Sequence, residues 1–171
     1  HGPFLWIPVS GRSGANAKIT NRTIKTEEKE TEQMLMKRED MAAVAVDYQE
    51  RLMPVMYEKE ELLAHSVILL NGLRELGIPI YITQQYTRGL GMTVPEITEA
   101  AGTGDYLEKI SYSAAEEVIP KLGEKRTVII CGIESHICVL QTVIDLKAKG
   151  YTPVLVTDCI SSSGQRWKVP F

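Results

Sequence analysis

The sequence predicts a three-layer α/β/α fold around a mostly parallel, doubly wound sheet, on three observations. Continuous apolar runs of strand length recur at 41–46, 78–83, 127–131 and 153–157. They lack the polar alternation of a strand with one solvated face, so both faces must be covered. Between them lie segments with apolar residues at helical spacing, and that alternation marks parallel strands joined through helical crossovers.

The elements follow in chain order. Met41-Ala42-Ala43-Val44-Ala45-Val46 is a buried-type strand ending at Asp47. From Glu60 to Leu76, residues such as Leu62, Leu63, Leu70 and Leu73 recur at helical spacing, with Gly77 placed as a C-cap. Ile78 to Thr83 is the second strand, with Pro79 near its start, where a missing donor is tolerated. Gly89, Gly91, Pro95, Gly102 and Gly104 mark an irregular stretch. A polar helix over Ala114–Leu122 leads into the Thr127–Cys131 strand. His136 to Lys149 reads as a helix with Val139, Val143, Ile144 and Leu146 on its apolar side, and Pro153–Thr157 is the last strand, ending at Asp158.

These elements define one domain over residues 41–162. The first forty residues read as an extension, an irregular or mobile arm and then a solvated helix within the charged run Thr26–Asp40. Residues 163–171, with Trp167, form an unassigned tail. Composition bounds the function. The 171 residues, 44% hydrophobic and 24% charged, suit an ordinary globular domain, and the net charge of −3 gives no footprint for nucleic acid. No apolar run approaches the ~20 residues that span a bilayer, so no membrane partner is expected. Residues 1–9 lack the basic flank and long apolar core of a signal peptide. Cys131, Cys138 and Cys159 form no CxxC pair, which fits a reducing, cytoplasmic setting. No Gly-x-Gly-x-x-Gly follows the first strand, which argues against a dinucleotide site.

The fold says where to look, because ligands of open α/β sheets bind beyond the carboxyl ends of the strands where strand order reverses. Three such ends carry polar groups: Asp47, the Gln84-Gln85 pair, and the turn leading to Cys138. A strand that ends in glycine and delivers Cys138 to a helix start places a thiol where backbone N–H groups and the positive dipole end favour thiolate. A carboxylate beside it serves as a base, and Lys109, on the connection entering the later helix, is a candidate cation. Gln85 and Tyr86 are placed to line the pocket. His136 lies two positions from Cys138 and does not share its helix face, so no Cys–His dyad is expected. His65 reads as a helix contact, Cys131 as strand packing, and Cys159 lies near the expected site face.

Taken in order, Val44-Ala45-Val46-Asp47, Lys109-Ile110-Ser111-Tyr112-Ser113 and Gly132-Ile133-Glu134-Ser135-His136-Ile137-Cys138-Val139 resemble the motifs of the isochorismatase-like cysteine hydrolases. The resemblance implies a triad of Asp47, Lys109 and Cys138 and a non-proline cis peptide between Ile133 and Glu134, whose N–H joins that of Cys138 in holding an oxyanion. Nicotinamidase-type members hold a metal through an Asp and two His after the second strand. Here Thr83 to Gly91 has neither histidine nor carboxylate, so no metal and no cofactor is expected. The Gln85-Tyr86-x-x-Gly89-Leu90-Gly91 wording resembles the metal-free branch of isochorismatase-domain proteins. Isochorismatases proper cleave a vinyl ether without a cysteine nucleophile, and Cys138 argues against that reaction.

The resemblance therefore implies a cysteine-dependent hydrolase of a small amide-type C–N substrate, acting through a thioester and assembled as a homo-oligomer. It also implies a Rossmann-like sheet of six strands, but Gly164 to Phe171 does not read as a further helix and strand, so the sheet is expected to lack its last strand and helix. Two other readings stand beside it. One is a non-catalytic binding or scaffold protein of the same fold; the other is a thiol redox sensor that pairs Cys138 with Cys131 or Cys159.

Overall fold

The computed structural model describes residues 36–164; most of the expected N-terminal extension, and Trp167 with the rest of the tail from 165, lie outside them. Five strands, β1 (Met41–Val46), β2 (Ile80–Gln85), β3 (Tyr106–Lys109), β4 (Thr127–Ile133) and β5 (Thr152–Ser161), form a parallel sheet in the order β3-β2-β1-β4-β5. The connecting helices are α1 (Lys59–Glu75), α2 (Thr87–Leu90), α3 (Pro95–Ala101), α4 (Ala115–Leu122) and α5 (Leu140–Ala148). The chain starts in the middle of the sheet, builds outward through β2 and β3, then returns to build β4 and β5 on the other side. The reversal lies between β1 and β4, which makes the fold a three-layer, doubly wound α/β architecture.

Side-chain alternation divides the core into two layers. Ala42, Val44 and Val46 of β1 join Val128 and Ile130 of β4 against Val118, Leu122 and Leu146 of α4 and α5. Their neighbours Ala45, Cys131 and Ile133 face the other way, against Leu62 and Leu70 of α1 and Ile97 of α3. All six residues of β1 are buried, which is why its run is apolar without interruption. Asp40 closes the lower end of the sheet: its carboxylate accepts from the Arg126 N–H at 2.9 Å and the Thr127 hydroxyl at 3.2 Å.

Several elements differ from the sequence expectation. The strand expected at Ile78 begins at Ile80, after Pro79, which has no N–H for the ladder. The stretch expected to be irregular holds α2 and α3, and α3 has Pro95 in its first turn and Gly102, at φ +71°, at its end. Both are ordinary helix punctuation. The short strand β3 escaped detection because it is an edge, with Tyr106 and Glu108 exposed and no apolar run to read. The helix expected from His136 starts with a π-helical turn, Ser135–Val139, before α5. The solvated helix expected to end at Asp40 is only a 3-10 turn, Arg38–Asp40, within the described residues.

One glycine is required by close approach. Gly132 has φ +138°, and a Cβ there would run into the Val46 carbonyl and stand 2.6 Å from the Val46 Cβ. It lets β4 close on β1 beside the strand reversal. At Gly89 a Cβ would occupy the position of the Tyr86 ring. Among the described residues no helix is long and apolar enough to cross a membrane.

Candidate active site

Three strand ends meet at the reversal. Asp47 follows β1 in the left-handed region at φ +55°, a conformation that aspartate tolerates better than most residues. Cys138 lies within the π turn that follows β4, and π turns recur at functional positions in helices. Lys109 is the last residue of β3, which corrects its expected place on a connection. Two strand spacings, about 9–10 Å, separate β3 from β1. The four-carbon lysine stem crosses the end of β2 to cover that span. Its Nζ stands 2.7 Å from Asp47 Oδ2, and both side chains are fully buried.

The ammonium has more oxygens around it than protons to give. It donates to Gln85 Oε1 at 2.6 Å, the Tyr112 carbonyl at 3.0 Å and the Ser111 carbonyl at 3.2 Å. Asp47 Oδ2, 2.7 Å away, is the fourth oxygen around it and faces its charge. The other oxygen, Oδ1, accepts from the Thr83 hydroxyl at 2.8 Å. Oδ2 is thus the oxygen open to a further proton.

Burial pushes the Asp47 carboxyl above its ordinary value, and Lys109, Thr83 and Cys138 pull it back. Burial also pushes the Cys138 thiol up to about 11, with the Asp47 charge adding to the rise and Lys109 and the Glu134 N–H opposing it. Each group perturbs the other, so the Cys138 thiol and the Asp47 carboxylate are neighbours. The site thus sets a thiol that resists ionisation beside the buried Lys109–Asp47 pair. Desolvation and the adjacent carboxylate oppose the thiolate that a helix start favours.

The peptide joining Ile133 and Glu134 is cis. Glu134 accepts the Ser163 N–H at 2.8 Å and faces His136 Nδ1 at 3.6 Å. Gln85 is held at both ends, by Lys109 through Oε1 and by its Nε2 donating to the Ile110 carbonyl at 2.5 Å. Tyr86 is more than half exposed. Cys159 does not reach this site. It packs with Cys131 and Tyr48 in the α1-side core, whereas Cys138 belongs to the core layer on the opposite face. The Tyr48 hydroxyl donates to the Cys159 carbonyl at 2.9 Å. His65 pairs loosely with Asp158 at 3.9 Å. A separate cleft of about 380 Å³, between Met53, Leu63, Val94 and Glu96, has none of Asp47, Lys109 or Cys138 in its lining.

Sequence reading missed Thr83 and Gln49. The Gln49 side chain is fully buried and grips the Gln85 backbone from both sides, accepting its N–H at 2.7 Å and donating to its carbonyl at 3.0 Å. The available signal was position: polar residues at a strand end of a parallel sheet stand at the ligand-binding edge. No cluster of three or more His, Cys, Asp or Glu suited to a metal ion occurs among the described residues.

Comparison with known proteins places this geometry. An isochorismatase-domain family model matches residues 41–169. Isochorismatase domain-containing protein 1 of Salmo salar is 36% identical over 120 residues, covering 68% of this chain and 42% of that protein. Isochorismatase domain-containing protein 2 of Danio rerio is 35% identical over 123 residues, covering 70% and 61%. The chain thus spans 42–61% of the length of these two relatives. Among solved structures, the MAR1 ribonuclease of Caenorhabditis elegans superposes with a TM-score of 0.71 at 31% identity, covering 76% of this chain and 69% of that one. The YcaC protein of Escherichia coli, described as an octameric hydrolase of unknown specificity, gives 0.69 at 20% identity over 77% and 68%. A family match over most of the described residues establishes descent: the chain belongs to the isochorismatase-domain family.

Proposed function

We propose that this chain is a cysteine hydrolase that opens a small amide-type C–N bond through a thioester on Cys138. The observation that supports it is the convergence of Asp47, Lys109 and Cys138, from three different strand ends, in one buried cluster. In this reading Asp47 Oδ2 takes the thiol proton as sulfur attacks the carbonyl carbon, so no free thiolate is needed beforehand. Lys109 holds the carboxylate ionised until then. The N–H groups of Glu134 and Cys138 serve the developing oxyanion, on the order of 3 kcal/mol for each donor. The protonated Asp47 gives its proton to the leaving nitrogen, and ammonia or an amine departs. Asp47, again a carboxylate, removes a proton from water that attacks the thioester, and carboxylic acid and thiol are released.

Tyr86 and Ile110, next to Gln85 and Lys109 in sequence, are exposed at 55% and 86%, which suits a neutral substrate with an apolar portion. The octameric state of YcaC favours a homo-oligomer here. The scaffold reading predicts an inert Cys138. The redox reading loses support because burial pushes Cys131 and Cys159 to about 12 and places them across the sheet from Cys138. The nematode neighbour is named a ribonuclease, and an RNA substrate belongs in the same assay panel as a control. The test is mass spectrometry of the protein quenched during turnover of a panel of small amides. A Cys138-linked acyl adduct, lost in Cys138→Ala with the fold retained, is expected; undiminished turnover by Cys138→Ala refutes the mechanism.

A further inference from the structure

The strand between the Asp47 and Lys109 strands supplies none of the three reacting groups, yet its side chains touch two of them. β2 lies between β1 and β3, with Thr83 opposite Val46 and Gln85 opposite Lys109 in register. Thr83 and Gln85 are two apart and share a face of the strand. The first donates to Asp47, and the second accepts from the Lys109 ammonium at 2.6 Å, the shortest of that group's contacts. We propose that Gln85 is a positioning residue: its amide oxygen fixes the Lys109 ammonium over the end of β2, so that the charge faces Asp47 and the Cys138 thiol. The proposal rests on the triad reading above.

Three observations carry it. The lysine must bridge two strand spacings, and an unsupported four-carbon stem has many rotamers from which to do so. Gln85 is itself immobilised, its Nε2 by the Ile110 carbonyl and its backbone N–H and carbonyl by the buried Gln49 side chain. Its oxygen is therefore a fixed point rather than an adaptable wall. Finally, a neutral acceptor is what the site requires. An amide orients the ammonium without spending its charge, whereas a carboxylate at that position would compete with Asp47 for it.

The experiment is alkylation of full-length protein by iodoacetamide between pH 6 and pH 9, following the Cys138 peptide by mass, for wild type, Gln85→Glu, Gln85→Met and Lys109→Met. Near-ultraviolet spectra and melting curves report folding for each variant. Gln85→Glu keeps the shape of glutamine but adds a competing charge. It should slow Cys138 alkylation by on the order of tenfold, equivalent to one pH unit in thiol acidity. Gln85→Met should slow it less, and Lys109→Met more than either. A merely structural role gives the opposite order, with the isosteric Glu harmless and Met damaging the fold. Native Gln85→Glu that reacts at the wild-type rate or faster, while Lys109→Met is slowed, overturns this inference and leaves the triad intact. Wild-type rates in both overturn the triad reading and this inference together.

Discussion

Replacing Lys109 with methionine tests the ion pair at the centre of the site. Methionine keeps most of the stem volume and removes the charge, leaving Asp47 fully buried with the Thr83 hydroxyl and the Cys138 thiol to serve its oxygens. A buried carboxylate without its cation has one escape, which is to take up a proton. From an unfolded value of 3.8, holding that proton at pH 7 costs about 4 kcal/mol, and at pH 5 about 1.5 kcal/mol. These are ceilings on the electrostatic part of the damage, because the carboxyl protonates rather than suffer more. The direction follows from linkage. Asp47 already has a raised folded value, and losing Lys109 raises it further, so stability is retained at low pH and lost as pH rises from about 4 through the new folded value. Urea unfolding at pH 5 and pH 7 should show the Lys109→Met penalty growing with pH, by up to about 3 kcal/mol relative to wild type. Adding Asp47→Asn to Lys109→Met should remove most of that pH dependence. A penalty that is equal at the two pH values, or a pH dependence that survives Asp47→Asn, refutes the buried pair as the origin of the effect.

Further outcomes follow from individual contacts. Thr83→Val removes the hydroxyl on Asp47 Oδ1 while keeping the shape, which should cost about 1–3 kcal/mol in urea unfolding and move the acid limb of Cys138 alkylation to higher pH. The three thiols hold their protons more tightly when folded, Cys138 to about 11 and Cys131 and Cys159 to about 12, against 9.0 unfolded. Their contribution is intact below pH 9 and lost as pH climbs toward those values, approaching about 1.4 kcal/mol per pH unit per thiol; Cys131→Ala should flatten the alkaline slope in urea unfolding. Gly132→Ala must place a Cβ into the Val46 backbone at a φ that alanine avoids, and should abolish soluble, folded protein, read as yield and near-ultraviolet signal.

The legible and illegible parts of this molecule separate along a physical line. Buried parallel strands write themselves into sequence as apolar runs, so β1 was read to the residue, and β4 was located by the same logic. The edge strand β3 is only four residues, half polar, and writes nothing. For the same reason Lys109 could be found only through its resemblance to a family motif, since a lysine that ends an edge strand looks like any solvated lysine. What makes it different is three-dimensional: β2 lies between it and Asp47, and the side chain must cross that strand to be buried. Thr83 was hidden by the same geometry, and Gln85 was legible only as a pocket residue, because their partners come from neighbouring strands, 36 and 24 positions away in sequence. The thiol acidity was illegible for a different reason. Placing Cys138 after a strand and before a helix correctly identified its backbone surroundings, but the carboxylate beside it and the desolvation around it are properties of the assembled crevice, and they oppose the thiolate. A thiol beside a lysine-held carboxylate changes the expected pH behaviour of the site: its reactivity depends on whether Asp47 is ionised as well as on the acidity of Cys138. Reaction at Cys138 should therefore be lost as acid protonates Asp47.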